Sequence, residues 1–247
     1  MKIDQTLDRH ISKLMLEENK KERENHVSSG KLSASMLGQP LQWQILKSIG
    51  VPPKEIDEYT LRVFKRGKDI EDWIVKLMPG LVDTQVAVTY RNVVGFIDAW
   101  VDTEGYEFKE GIIPFEVKSV KNSKFKRIIE QGSPDRSHLL QGALYALAKG
   151  CKSFEIVYIA ADDLRIQSFV MNAFDFKFEI DKIIDVYDNQ LKLRYVPEFV
   201  AVEPWMSSVQ YNNYPEWMCK SPEEIRAKLE YEYPESYKRL LNYKQSC

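Results

Sequence analysis

Asp98 lies inside an apolar run, GFIDAW, and Glu116 and Lys118 lie two apart inside another, PFEVKS. Residues two apart in a strand point to one face, so a carboxylate and an ammonium project together from an otherwise greasy segment. Burying such groups without partners costs several kcal/mol each, on the order of a domain's whole margin of stability. A metal ion held by Asp98 and Glu116, with Lys118 beside it, accounts for that cost. Metal-assisted chemistry is what these three residues suggest.

Strands must position them. The runs 84–90 (TQVAVTY), 93–101 (VVGFIDAWV) and 112–120 (IIPFEVKSV) read as strands, with Arg91-Asn92 as a tight connection and residues 102–111 as the next hairpin loop. Pro114 argues for an edge position or a bulge in the third. A helix over 69–78 precedes them, with Ile70, Trp73, Ile74 and Leu77 as its buried stripe. Glu71 borders that stripe, and taken alone it reads as an ordinary first-turn glutamate.

Residues 121–136 are polar and basic and read as a solvated loop, with Lys121, Lys124, Lys126 and Arg127. Ser137 caps a helix over 138–149, on which Gln141 and Tyr145 are neighbours four apart. Strands at 154–160 and 165–171 and a helix around 175–194 follow. Upstream, Ile3, Leu7, Ile11 and Leu14 mark a helix that fades into a charged arm, and a second helical pattern starts at Met36. The tail, 196–247, is rich in Tyr, Trp and Pro and reads as short helices, its aromatics mainly packing residues.

The chain's 247 residues suffice for one large domain, and 44% hydrophobic with 29% charged residues is ordinary for a globular protein. A net charge of −2 means that any polyanion must be held by a local basic patch. Three scattered cysteines exclude a disulfide framework. No apolar run approaches the roughly 18 residues of a membrane span, and the N-terminus lacks a signal-peptide core. A cytoplasmic protein without membrane partners is expected.

The order helix, three strands, helix, strand, with Asp98 and Glu116-Val117-Lys118 on strands two and three, resembles the PD-(D/E)XK nuclease superfamily. Further motifs resemble its RecB-like exonuclease branch. Gly67-Lys68-Asp69-Ile70-Glu71 matches a first motif in which the residue four after Gly reaches the metal, and Gly95-Phe96-Ile97-Asp98 looks like G-x-x-D. Gln141-Gly142-Ala143-Leu144-Tyr145 matches Q-x-x-x-Y, and Leu32-Ser33-Ala34-Ser35 resembles a serine-rich stretch common near the start of such proteins. The resemblance covers residues 32 to about 171. It departs from relatives that hold an iron–sulfur cluster: no cysteine precedes Cys151, and the tail has only Cys219 and Cys247. Such a cluster needs four ligands, so none is expected.

The resemblance implies an α/β fold with a restriction-endonuclease-like core, a central mixed β-sheet flanked by helices and helical N- and C-terminal extensions. The corresponding divisions are an N-terminal helical segment (1–66), a core (67–195) and a C-terminal extension (196–247). It implies a DNA nuclease, more an exonuclease than an endonuclease, with roles in repair, recombination or viral genome processing. A site- or structure-specific endonuclease and a non-catalytic nucleic-acid-binding module are the alternatives. Magnesium or manganese suits oxygen ligands: Asp98 and Glu116, with Glu71 and the Val117 carbonyl completing the set. Lys118 would orient or help deprotonate the attacking water. Gln141 and Tyr145 would contact DNA near the scissile phosphate, and Lys121, Lys124, Lys126 and Arg127 would grip its backbone. No nucleotide-binding G-x-x-x-x-G-K-[ST] motif is present, so a separate helicase or recombination protein is a conceivable partner.

Overall fold

A computed structural model describes residues 3–25, 29–199 and 213–243. The chain opens with α1 (Ile3–Asn25), then β1 (Leu32–Ser33), a short 3-10 turn and α2 (Leu41–Ser48). After α3 (Glu58–Leu77) come β2 (Leu81–Tyr90), β3 (Val93–Asp102) and β4 (Ile112–Val120). Then follow α4 (Asn122–Gln131), α5 (Arg136–Lys149), β5 (Ser153–Ala160), β6 (Ile166–Asn172) and α6 (Phe174–Lys192). The tail contributes α7 (Pro222–Glu232) and α8 (Pro234–Leu241). No helix among the described residues is long and apolar enough to cross a membrane.

The sheet is mixed, in the order β1-β3-β4-β5-β6, with β2 also paired to β3. β4 and β5 run parallel in its interior, and every residue of β5 is buried, as expected of a strand covered on both faces. One apolar cluster joins α2, α5, α6 and the tail, including Leu144, Ile180 and Trp217. A smaller one, with Phe115, Val117 and Ile159, lies under Val75 of α3. The fold is the α/β restriction-endonuclease-like core with helical extensions. The boundary drawn at residues 66 and 67 falls inside α3, and Leu32 and Ser33 pair in parallel with Val93 and Val94.

The sheet forks. β3 pairs with β4 only from Ala99 to Asp102, against Ile112 to Phe115, whereas β4 pairs with β5 from Phe115 to Val120. Between β1 and the start of the β4 ladder, Gly95–Asp98 has no strand on that side among the described residues. Pro114 is not on an edge strand, because β4 is interior. It is tolerated because the β5 ladder begins one residue later, so the missing N–H takes no rung from it.

Other elements differ from the sequence expectations. α3 begins at Glu58, because Asp57 caps it by accepting from the Thr60 N–H at 2.8 Å. Its packed face is Ile70, Ile74, Val75 and Met78, while Trp73 and Leu77 are 49% and 60% exposed. The expected loop at 121–136 contains α4, which buries Phe125 and Ile128, three apart, and turns its charges outward. α5 starts at Arg136 with Asp135, not Ser137, at its N-cap. Tyr214 and Trp217 of the tail are buried as packing residues, Tyr231 is exposed, and Trp205, Tyr211 and Cys247 lie outside the described residues.

Candidate active site

The fork leaves amides of β4 without a neighbouring strand, and carboxylates take its place. Asp98 Oδ2 accepts from the Val117 N–H at 3.0 Å, and Glu71 Oε1 accepts from the Ser119 N–H at 2.6 Å. Both groups are ordinary donors that a sheet must satisfy. The N–H and C=O of one strand residue point to the same side, so the Val117 carbonyl also opens toward the fork. Glu71 reaches the fork from the middle of α3, not from its first turn.

Glu116 is 1% exposed, and neither of its carboxylate oxygens has a well-aligned hydrogen-bond donor. Its one close partner is the Lys118 ammonium, which also stands 3.7 Å from Asp98 Oδ2. Burial pushes the Glu116 carboxyl up to about 8, against the pull of Lys118. Burial works against the Lys118 charge as well, but Glu116 and Asp98 outweigh it and raise its pKa. Glu71 is raised by burial, partly offset by the Ser119 N–H and Lys118.

Gln141 and Tyr145 meet each other: the Gln141 amide donates to the Tyr145 hydroxyl at 2.9 Å. Burial raises the Tyr145 pKa, and the nearby Glu116 adds to it. Tyr145 lies on Gly95, where an added Cβ would stand 2.6 Å from Tyr145 Cε1 and 2.9 Å from Ala34 Cβ. The serine-rich stretch, G-x-x-D and Q-x-x-x-Y are thus one packing unit behind the fork. Gly142 is held small in the same way, by the Phe154 ring.

Lys124 and Arg127 are not free side chains. They bind Asp135 at 2.6 and 3.1 Å, beside a link from His138 Nδ1 to the Tyr158 hydroxyl. Lys126 and Lys121 are exposed. Sequence reasoning missed Gln85, whose amide approaches Asp98 Oδ1 at 3.4 Å from a left-handed backbone, φ 52°. A glutamine within a strand gives no sequence signal for such a conformation.

A cleft of about 810 Å³ opens between α3 and β2, with Glu71, Asp98, Gln85 and Ser119 among its walls and Lys68 and Lys76 along α3. Among the described residues no three His, Cys, Asp or Glu side chains converge as a ready-made metal cage. The donor set still fits a hard divalent ion that needs only one or two carboxylates and keeps several waters. Buried Glu116, whose carboxylate has the Lys118 ammonium beside it and no well-aligned hydrogen-bond donor, is the observation that fits it best.

No family model matches the sequence, and no curated protein matches it. Solved structures do match. An alkaline exonuclease from Laribacter hongkongensis, LHK-Exo, aligns over 67% of this chain and 90% of its own, with a TM-score of 0.50 and 16% identity. The same enzyme in complex with dAMP aligns over 66% and 89%, also with a TM-score of 0.50 and 16% identity. A protein described as SSO0001 aligns over 74% and 85%, with a TM-score of 0.50 and 17% identity. With its forked mixed sheet and flanking helices, the chain shares the fold of the alkaline exonuclease.

Proposed function

We propose that the chain is a divalent-metal-dependent deoxyribonuclease that hydrolyses phosphodiester bonds, acting from DNA ends. The observation that carries the reading is the meeting of Glu71, Asp98, Glu116 and Lys118 at the sheet fork, with Glu116 buried and its oxygens lacking aligned donors. A fold needs no such group, and a hydrolase does. The likeness to an alkaline exonuclease supports an exonuclease, and that enzyme's complex with dAMP supports a deoxynucleotide ligand.

Asp98, Glu116, Glu71 and the Val117 carbonyl would hold magnesium or manganese, which supplies an activated water and stabilises charge on the leaving oxygen. The Glu116 and Asp98 carboxylates favour the charged form of Lys118, which would orient or help deprotonate the attacking water and steady the phosphate. Gln85 and the Val117 N–H hold the two Asp98 oxygens in place. Tyr145 and Gln141 wall the fork, and the exposed Lys121 and Lys126 would meet backbone phosphates.

The test uses end-labelled linear and closed circular DNA with magnesium, manganese or EDTA. Linear DNA is expected to be lost from an end only with metal, circles to be spared, and Asp98→Asn and Lys118→Ala to be at least a hundredfold slower. Cut circles would make the protein an endonuclease. Equal rates for Asp98→Asn and the natural protein would remove the site from the fork.

A further inference from the structure

α3 begins eleven residues before the helix legible in the sequence, and that extra length forms a second groove. Tyr59, Arg62, Val63 and Arg66 face Lys121, Asn122 and Ser123 across a space of about 630 Å³. Val63 also lines the catalytic cleft, followed along the helix by Phe64, Gly67, Lys68 and Glu71. Val63 is thus a shared wall, where a strand leaving the second groove would turn about the helix to reach the cleft.

Both carry an uncovered aromatic ring beside cations. Tyr59 is 68% and Phe64 58% exposed. Lys121 and Lys68 have no ion-pair partner among the described residues, and Arg66 meets Asp162, the acid of the second groove, only at 3.6 Å. Arg62 is engaged by Asp8 and Glu58 and contributes less. Open aromatic faces beside lysines without an ion pair are the chemistry that grips a single nucleic-acid strand: rings take bases, ammonium groups take phosphates. A duplex offers no free base faces along its length.

We propose that the N-terminal half of α3 is a track that carries one unpaired strand into the cleft, with bases stacked on Tyr59 and Phe64. The inference rests on the nuclease reading for the identity of its ligand. From Tyr59 to Glu71 the helix rises about 18 Å, which is about five nucleotides at ~3.4 Å per stacked base. The protein thus engages a short single-stranded stretch on one side of the bond it cuts.

The test measures fluorescence anisotropy of labelled oligothymidylates of two, five and ten nucleotides, and of a blunt hairpin duplex, in EDTA. Affinity is expected to climb from two to five nucleotides and then level off. Tyr59→Ala and Phe64→Ala should each weaken the five-nucleotide strand about tenfold, and Tyr59→Phe and Phe64→Trp should restore it. Exposed Tyr231, outside the groove, serves as the control position. Affinity independent of length, alanine variants that bind as the natural protein does, or a blunt duplex bound more tightly than the ten-nucleotide strand would each overturn the track. Cleavage of linear DNA with magnesium is assayed in parallel. Cleavage with flat binding removes the track alone, whereas the expected binding pattern without cleavage keeps the track and removes the nuclease reading.

Discussion

Glu116 is a carboxyl group almost wholly withdrawn from water, and its chemistry should depend on pH accordingly. A carboxylate must be ionised to hold a cation, and burial has raised this one to about 8. Cleavage at low magnesium should therefore rise tenfold per pH unit below about 8 and level off above it, moving to lower pH as magnesium is raised. His138 shows the opposite sign. Burial, with Lys124 and Lys118 adding to it, lowers it to about 3, so the folded state binds fewer protons than the unfolded chain between about 3 and 6.5. Stability from this group is present above 6.5 and lost as pH falls toward 3. His138→Gln should remove on the order of 1 kcal/mol of the difference in urea stability between pH 7 and pH 5. Gln85 is strained in a left-handed conformation opposite Asp98. Gln85→Gly should gain about 1 kcal/mol in urea stability while slowing cleavage severalfold. Asp98, Glu116 and Lys118 were legible because charges inside apolar strands are costly. Gln85 was not, because its backbone angle is set by the fork and not by its own type.

At the scale of elements, the fork depends on close approach. Gly95 of β3 accepts the Tyr145 ring of α5 and the Ala34 methyl after β1, leaving no room for a side chain. Gly95→Ala should cost about 1–3 kcal/mol by overpacking, measurable as a lower urea midpoint with an unchanged slope. Partial recovery is expected when Tyr145→Ala is added, because the two residues share one contact. The strand pattern was readable because apolar residues in VVGFIDAWV and IIPFEVKSV follow a simple period. The start of α3 was obscured by Arg62, Lys65, Arg66 and Gly67, although the Asp57 cap with Thr60 was present in the sequence. α4 was hidden because it buries only Phe125 and Ile128 within a polar, basic segment, too few apolar positions to set a clear helical period.

For the molecule as a whole, a net charge of −2 gives little long-range attraction for a polyanion, so binding must come from the few cations at the cleft and along α3. Affinity for a single strand should then fall with salt at a slope set by those contacts, and Lys121→Ala should reduce that slope by about 0.7 in a salt titration. The order of helix and strands conveyed the fold class. The two-residue β1 is too short for any period to reveal, and the fork arises from pairing between distant segments. The fork also makes two backbone amides depend on side chains. Val117 and Ser119 owe their protection from solvent to Asp98 and Glu71, not to a neighbouring strand. Deuterium uptake at these two positions is therefore a gauge of the carboxylates themselves. Whatever draws Asp98 or Glu71 away, whether a cation, a proton or a substitution, should quicken exchange there before any DNA is added.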